Sequence, residues 1–137
     1  MGDEHDLERF VLAQNEAPDF LAELRAGKKR THWMWFVFPQ IAGLGRSATA
    51  QRYAVRSLEE ARAYLAHPVL GSRLRECVRL LGTHPADAEA VFGGIDAVKL
   101  RSSLTLFARA APTEASFVEQ LDRFFGGVPD PETDARL

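Results

Sequence analysis

The chain has 137 residues, 46% of them hydrophobic and 26% charged, with a net charge of −2. That is the profile of one soluble globular domain, with enough apolar surface to offset the entropy of folding, and it excludes a disordered chain. The longest unbroken apolar run, Trp33 to Pro39, is seven residues, far short of the roughly 20 that a membrane-spanning helix needs.

Ala (20) and Leu (16) far outnumber Val (9) and Ile (2), so helix formers dominate and strands have little to build from. In chain order, Asp6 is placed to cap a helix with Leu7, Phe10, Val11 and Gln14 on one side. Pro18 opens a second helix, striped by Phe20, Leu21 and Leu24 and stopped at Gly27. A helix carrying Tyr53 follows Ser47. Ser57-Leu58-Glu59-Glu60 is a capping box whose helix must end near His67, because Pro68 follows.

From Pro68 the next helix gathers Leu70, Leu74, Cys77, Val78 and Leu81 on one face and stops at Gly82. A short helix spans Pro85 to Phe92. Asp96 caps a long one to about Ala110, barred by Pro112, and the last runs from Thr113 to Phe125. The expectation is an all-α fold: a single compact domain, 6–127, of about seven short helices around a Trp/Phe-rich central segment. Residues 1–5 and 128–137 are expected to be terminal tails, the second extended on the surface or loose.

Two segments resist assignment. Thr31 to Gln40 (THWMWFVFPQ) holds both tryptophans and is apolar all round, so it must thread the centre of the domain. Ile41 to Ser47 (IAGLGRS) is a glycine-rich loop before a helix, a weak anion-binding signal because it matches neither the phosphate-loop nor the dinucleotide pattern.

HWMWFVFPQ (32–40), GLGRS (43–47), HPVLGSRL (67–74), KLRSSLTLF (99–107) and DLERFVLAQ near the start together carry a resemblance. The chain resembles a bacterial family of uncharacterised, mainly helical, single-domain proteins, from about Asp6 to Leu137. The resemblance implies a helical fold and no established activity. Some members of that family are labelled calpastatin, but calpastatin is a disordered inhibitor, whereas this composition demands a packed core.

Charge is unevenly distributed. From Arg25 to Arg109 there are 14 basic and 6 acidic residues, and the flanks hold 3 basic and 13 acidic. Either the middle presents an anion-binding face or the flanking helices pack over it and neutralise it. Lys28-Lys29-Arg30 follows a helix end, where the helix dipole favours cations.

His32 and Gln40 bracket the apolar run Trp33 to Pro39 and belong at the edge of the core. They are either walls of a pocket with an aromatic floor from Trp33 and Trp35, or partners for loop backbone. Two positions apart, the tryptophans cannot play the same part: one is core and the other lines a cavity. Lys99, Ser102 and Ser103 stand at i, i+3 and i+4, within reach of one point that would suit a phosphate or carboxylate. The bland alternative is a solvated lysine and two serines bonded back to their own helix.

No HExxH, paired CxxC or GxSxG is present, and the four histidines lack metal-ligand spacing. No cofactor or metal is expected, and catalytic residues are unassigned. His67 and His84, each before a proline, read as helix-start contacts, and Cys77 reads as core. A lone cysteine cannot form an internal disulfide, and the acidic opening Gly2-Asp3-Glu4-His5-Asp6 is no secretory leader, so a reducing cytoplasm is the expected setting.

The functional expectation is binding of a small anionic, phosphate- or nucleotide-like ligand by His32, Trp33, Gln40, Lys99, Ser102 and Ser103. The alternative is a protein–protein interaction or regulatory module. Nucleic acid is the least favoured partner, since no basic-aromatic stripe is visible in the sequence.

Overall fold

The computed structural model describes residues 3–84 and 87–137. Ten helices are present among them: α1 (Glu8–Glu16), α2 (Phe20–Ala26), α3 (Met34–Val37), α4 (Ala48–Arg52), α5 (Leu58–Ala66), α6 (Leu70–Leu81), α7 (Ala88–Phe92), α8 (Gly94–Ala110), α9 (Ala115–Phe125) and α10 (Pro131–Asp134). No strand forms among the described residues, and a single isolated bridge joins Ile41 to Val55. The all-α expectation holds, with ten helices rather than about seven. The elements not expected are α3 and α10, four residues each and too short to show a period in sequence. The expected start of α7 at Pro85 lies outside the described residues.

Local signals set most boundaries. Gly27 ends α2 at φ 74°, and Ser57 Oγ accepts from Glu60 N–H to open α5. His67 Nδ1 accepts from the N–H groups of Val69 and Leu70 at the start of α6. Gly71 is required there, because a Cβ would lie 2.1 Å from the Leu65 carbonyl oxygen. Two expected caps are displaced. Asp6 takes a left-handed conformation, φ 50°, and Asp3 caps α1 instead, accepting from Leu7 and Glu8 N–H at 2.7 Å each. Asp96 falls inside the first turn of α8, which begins at Gly94; its carboxylate faces two lysines rather than the helix end.

Helix α8 is the centre of the fold, packed by α3, α5, α7, α9 and α10. After Leu100 it is buried on nearly every side, Leu106 included. The tail expected to lie extended is partly helical: α10 docks on α8, with Thr133 fully buried. Asp130 anchors it, its Oδ2 accepting from Ser102 Oγ, Thr133 N–H and Thr133 Oγ1. At the other end Arg9, 8% exposed, donates to the carbonyls of His5, Asp6, Arg52 and Ala54 and pairs with buried Glu60 at 2.9 Å.

The aromatic segment sits inside. Trp33, Met34, Val37 and Phe38 are 0–2% exposed, and Phe36 packs its edge on Tyr53 with ring centres 5.3 Å apart. Glu23 of α2 holds the segment's entry. Its Oε1 accepts from Arg30 N–H, Thr31 N–H and the Trp33 indole N–H, and its Oε2 accepts from Thr31 Oγ1. Burial pushes this carboxyl up, but the donors outweigh it, Thr31 Oγ1 foremost, and lower it to about 2.

Two outcomes follow. Phe36→Ala removes an aromatic core side chain and lowers stability by about 3–5 kcal/mol, read as a drop in the urea midpoint. Because Glu23 titrates lower in the folded chain than in the unfolded one, its contribution is complete above the ordinary value of 4.5 and lost as pH falls through about 2. The stability gap between wild type and Glu23→Gln therefore narrows on acidification from about pH 6 to about pH 2, by on the order of 2–3 kcal/mol. Parallel pH profiles for the two proteins would contradict that role.

Candidate functional site

Three adjoining depressions meet at Trp35. The largest, about 540 Å³, is lined by Trp35, Gln40, Arg46, Ile95, Val98 and Lys99, among others. A second, about 340 Å³, opens beside it between His32, Lys29, Asp96 and Lys99. A third, about 150 Å³, lies between Trp35, Gln40 and Tyr53. Trp35 borders all three and is half-buried.

The tryptophans divide their labour. Trp33 faces the core, its indole N–H spent on Glu23. Trp35, the next position along α3 but one, faces the clefts, and Lys99 Nζ lies 4.7 Å from its ring centre. Such cation–π contact is favourable by about 0.5–2 kcal/mol depending on desolvation.

Electrostatically the site turns on one carboxylate. Asp96 pairs with Lys29 at 2.9 Å and with Lys99 at 3.5 Å. The Lys29 side chain is 7% exposed and that of Lys99 22%, so neither ammonium is fully hydrated. Two cations against one anion leave a positive charge in excess on the cleft wall.

Of the six residues expected at a ligand site, the fold brings His32, Gln40 and Lys99 to the rim of these clefts. It places the other three elsewhere. Trp33 is core. Ser102 Oγ donates to Asp130 Oδ2 at 2.9 Å and to Val98 O at 3.2 Å, holding the C-terminal segment. Ser103 is 1% exposed and its Oγ has no hydrogen-bond partner among the described residues. The three residues Lys99, Ser102 and Ser103 therefore share no point: α8 enters the core just past Lys99, and a 100° step sends the two serines to different neighbours.

Sequence reasoning gave Lys29 and Asp96 only helix-end roles and did not single out Ile95 and Val98. The Asp96–Lys99 spacing was readable as an i, i+3 ion pair, but the pairing of Lys29 with Asp96 joins residues far apart in the chain. Among the described residues no group of three His, Cys, Asp or Glu side chains is placed to hold a metal, and no helix is long and apolar enough to cross a membrane.

No curated protein matches the chain. The crystal structure of the conserved hypothetical protein Rv1873 from Mycobacterium tuberculosis is similar, with 52% identity, 98% of each chain covered and a TM-score of 0.94. The model of the family described as "Protein of unknown function (DUF1810)" matches residues 4–137. With nearly the whole length matched, the chain belongs to the DUF1810 family, of unknown function.

Proposed function

We propose that this protein binds a small anionic ligand carrying an apolar or planar portion, in the cleft walled by Trp35. The observation that supports this most is the sharing of Asp96 by Lys29 and Lys99, which leaves a partly desolvated positive charge beside an aromatic face. In that setting an anion replaces water at little cost and gains a charge-assisted hydrogen bond. Arg46 adds a third cation, Gln40 a neutral donor and acceptor, and Trp35, Ile95 and Val98 the apolar wall. The volume, about 540 Å³, falls in the ordinary range for small-molecule sites, about 300–1,000 Å³. A phosphate- or nucleotide-like compound has the required chemistry.

A second reading draws on a different fact. Ile95 and Val98 are 77% and 65% exposed, and such a pair beside a cleft also suits the surface of a protein partner. The two readings part on charge. An anion depends on Lys99, whereas an apolar partner depends on Ile95 and Val98.

Tryptophan fluorescence tests the first reading, since Trp33 is sealed in the core and Trp35 borders the cleft. Titration with adenosine monophosphate is expected to change the emission. Lys99→Ala weakens that binding about tenfold or more while melting within a few degrees of wild type, because its ion pair is partly exposed. Arg101→Ala removes the same charge, but its guanidinium holds the carbonyls of Val128 and Pro129, and binding there stays near wild type. Equal losses in both variants would reduce the effect to overall charge and overturn the site.

A further inference from the structure

The Trp35 cleft is one part of a longer groove. The depressions run into one another by sharing walls: Lys99 and Ile95 join the 340 Å³ and 540 Å³ compartments, and Gln40 and Ala50 join the latter to the 150 Å³ compartment beside Tyr53. Gln51, Ala54 and Arg56 then lead to a fourth, also about 150 Å³, bounded by Arg9, Arg52 and Asp6. The cations along this course are Lys29, Lys99, Arg46, Arg56, Arg52 and Arg9.

Carboxylates are few on that path. Among the described residues the groove is lined by two acidic side chains, Asp96 and Asp6, and Asp96 is already divided between two lysines. Arg9 is spent on buried Glu60, which also takes Arg56. Arg46 and Arg52 are exposed, and the Arg52 guanidinium donates to the Tyr53 hydroxyl, stands over its ring and shares the far depression with Asp6. The chain as a whole carries −2, yet a cleft lined by more cations than carboxylates focuses a positive local potential.

Aromatic rings alternate with these cations. Lys99 Nζ stands 4.7 Å from the centre of Trp35, and the Arg52 guanidinium carbon stands 5.6 Å from the centre of Tyr53. Both rings are half-buried and open on the groove. A cation beside a ring, repeated along one channel, matches the repeat of single-stranded nucleic acid, whose phosphates seek the cation and whose bases seek the ring face.

We infer that the groove takes a short single-stranded oligonucleotide, with one base at Trp35 and the flanking phosphates directed to Lys99 and Arg46 on one side and to Arg52 and Arg56 on the other. The inference deepens the anion-binding reading of the Trp35 cleft and rests on it. A duplex does not fit this reading, since its bases are stacked on one another and are not free to stack on Trp35. The basic-aromatic stripe is invisible in the sequence because α1, the stretch before α3, α3 itself, α4 with the loops on either side of it, and α8 each contribute only one to a few of its members.

The test uses the full chain, a fluorescein-labelled single-stranded hexanucleotide followed by anisotropy, and adenosine monophosphate followed by Trp35 emission. The hexanucleotide is expected to bind at least about tenfold tighter than the mononucleotide, as stacking and added phosphate contacts require. Arg52→Gln combined with Arg56→Gln erases that advantage, leaves mononucleotide binding unchanged, and makes the dependence of log affinity on log salt shallower by about 0.7 per lost contact. Should the double variant unfold through loss of the Arg56–Glu60 pair, Arg52→Gln alone, at an exposed side chain, gives about half the change in slope. A hexanucleotide no tighter than the mononucleotide would overturn the groove while leaving the Trp35 site standing. Failure of both ligands would overturn both. Equal binding of the annealed duplex or of heparin would also overturn it, reducing the groove to a general polyanion surface.

Discussion

The backbone of residues 33–38 is the constraint around which the rest is arranged. A four-residue helix cannot satisfy its own ends, and this one lies among side chains that offer no water. The chain solves the problem from outside. The Phe36 carbonyl accepts from Gln14 Nε2 of α1 at 2.7 Å and from the Tyr64 hydroxyl of α5 at 3.3 Å. The Trp33 indole is taken by Glu23 of α2, and Val55 N–H closes on the Gln40 carbonyl just past the segment. Three helices are thus tied to one buried stretch by polar contacts that each cost about 1–3 kcal/mol if left unmade. Burial of the rings gives the core its mass, and these bonds give it its register.

The functional surface is a by-product of that arrangement. Because α3 is so short and so fully used, consecutive odd positions point to opposite environments, Trp33 inward and Trp35 outward. Lys29 is brought under the cleft because Glu23 bends residues 28–31 back across the end of α2. Arg9 does the corresponding work at the far end of the groove. Its bonds to the Arg52 and Ala54 carbonyls fix the turn that carries Tyr53, and a lysine with its single ammonium could not hold the same set of acceptors.

What could be read from the sequence was whatever is written locally. Gly27, Pro68 and Gly126 mark helix ends by backbone geometry and Ser57 by its side-chain cap, and the structure places ends at or beside each of them. Asp130-Pro131 is the same kind of signal, a cap followed by proline at the first turn, but in sequence the tail reads as extended or loose. It is helical because Thr105 and Ser102 of α8 complete its bonding. The displaced cap at Asp3 and the pairing of Lys29 with Asp96 are different. Neither follows from spacing, since each depends on where a distant or reversed stretch of chain comes to lie. For the same reason the sequence could set His32 and Gln40 beside an apolar run, whereas whether Lys99, Ser102 and Ser103 share one point required knowing how deep α8 goes.

Cys77 lies fully buried on α6. Burial first, then the neighbouring Glu76 charge, pushes its thiol up to about 12. A protonated thiol out of reach of solvent is neither nucleophile nor target for oxidation, so the native fold is indifferent to the redox state of its surroundings. The lone cysteine then ceases to mark a compartment. It becomes a covalent recorder: disulfide-linked dimers can form only from molecules whose α6 has come away from the core, and their accumulation counts openings that leave no other trace.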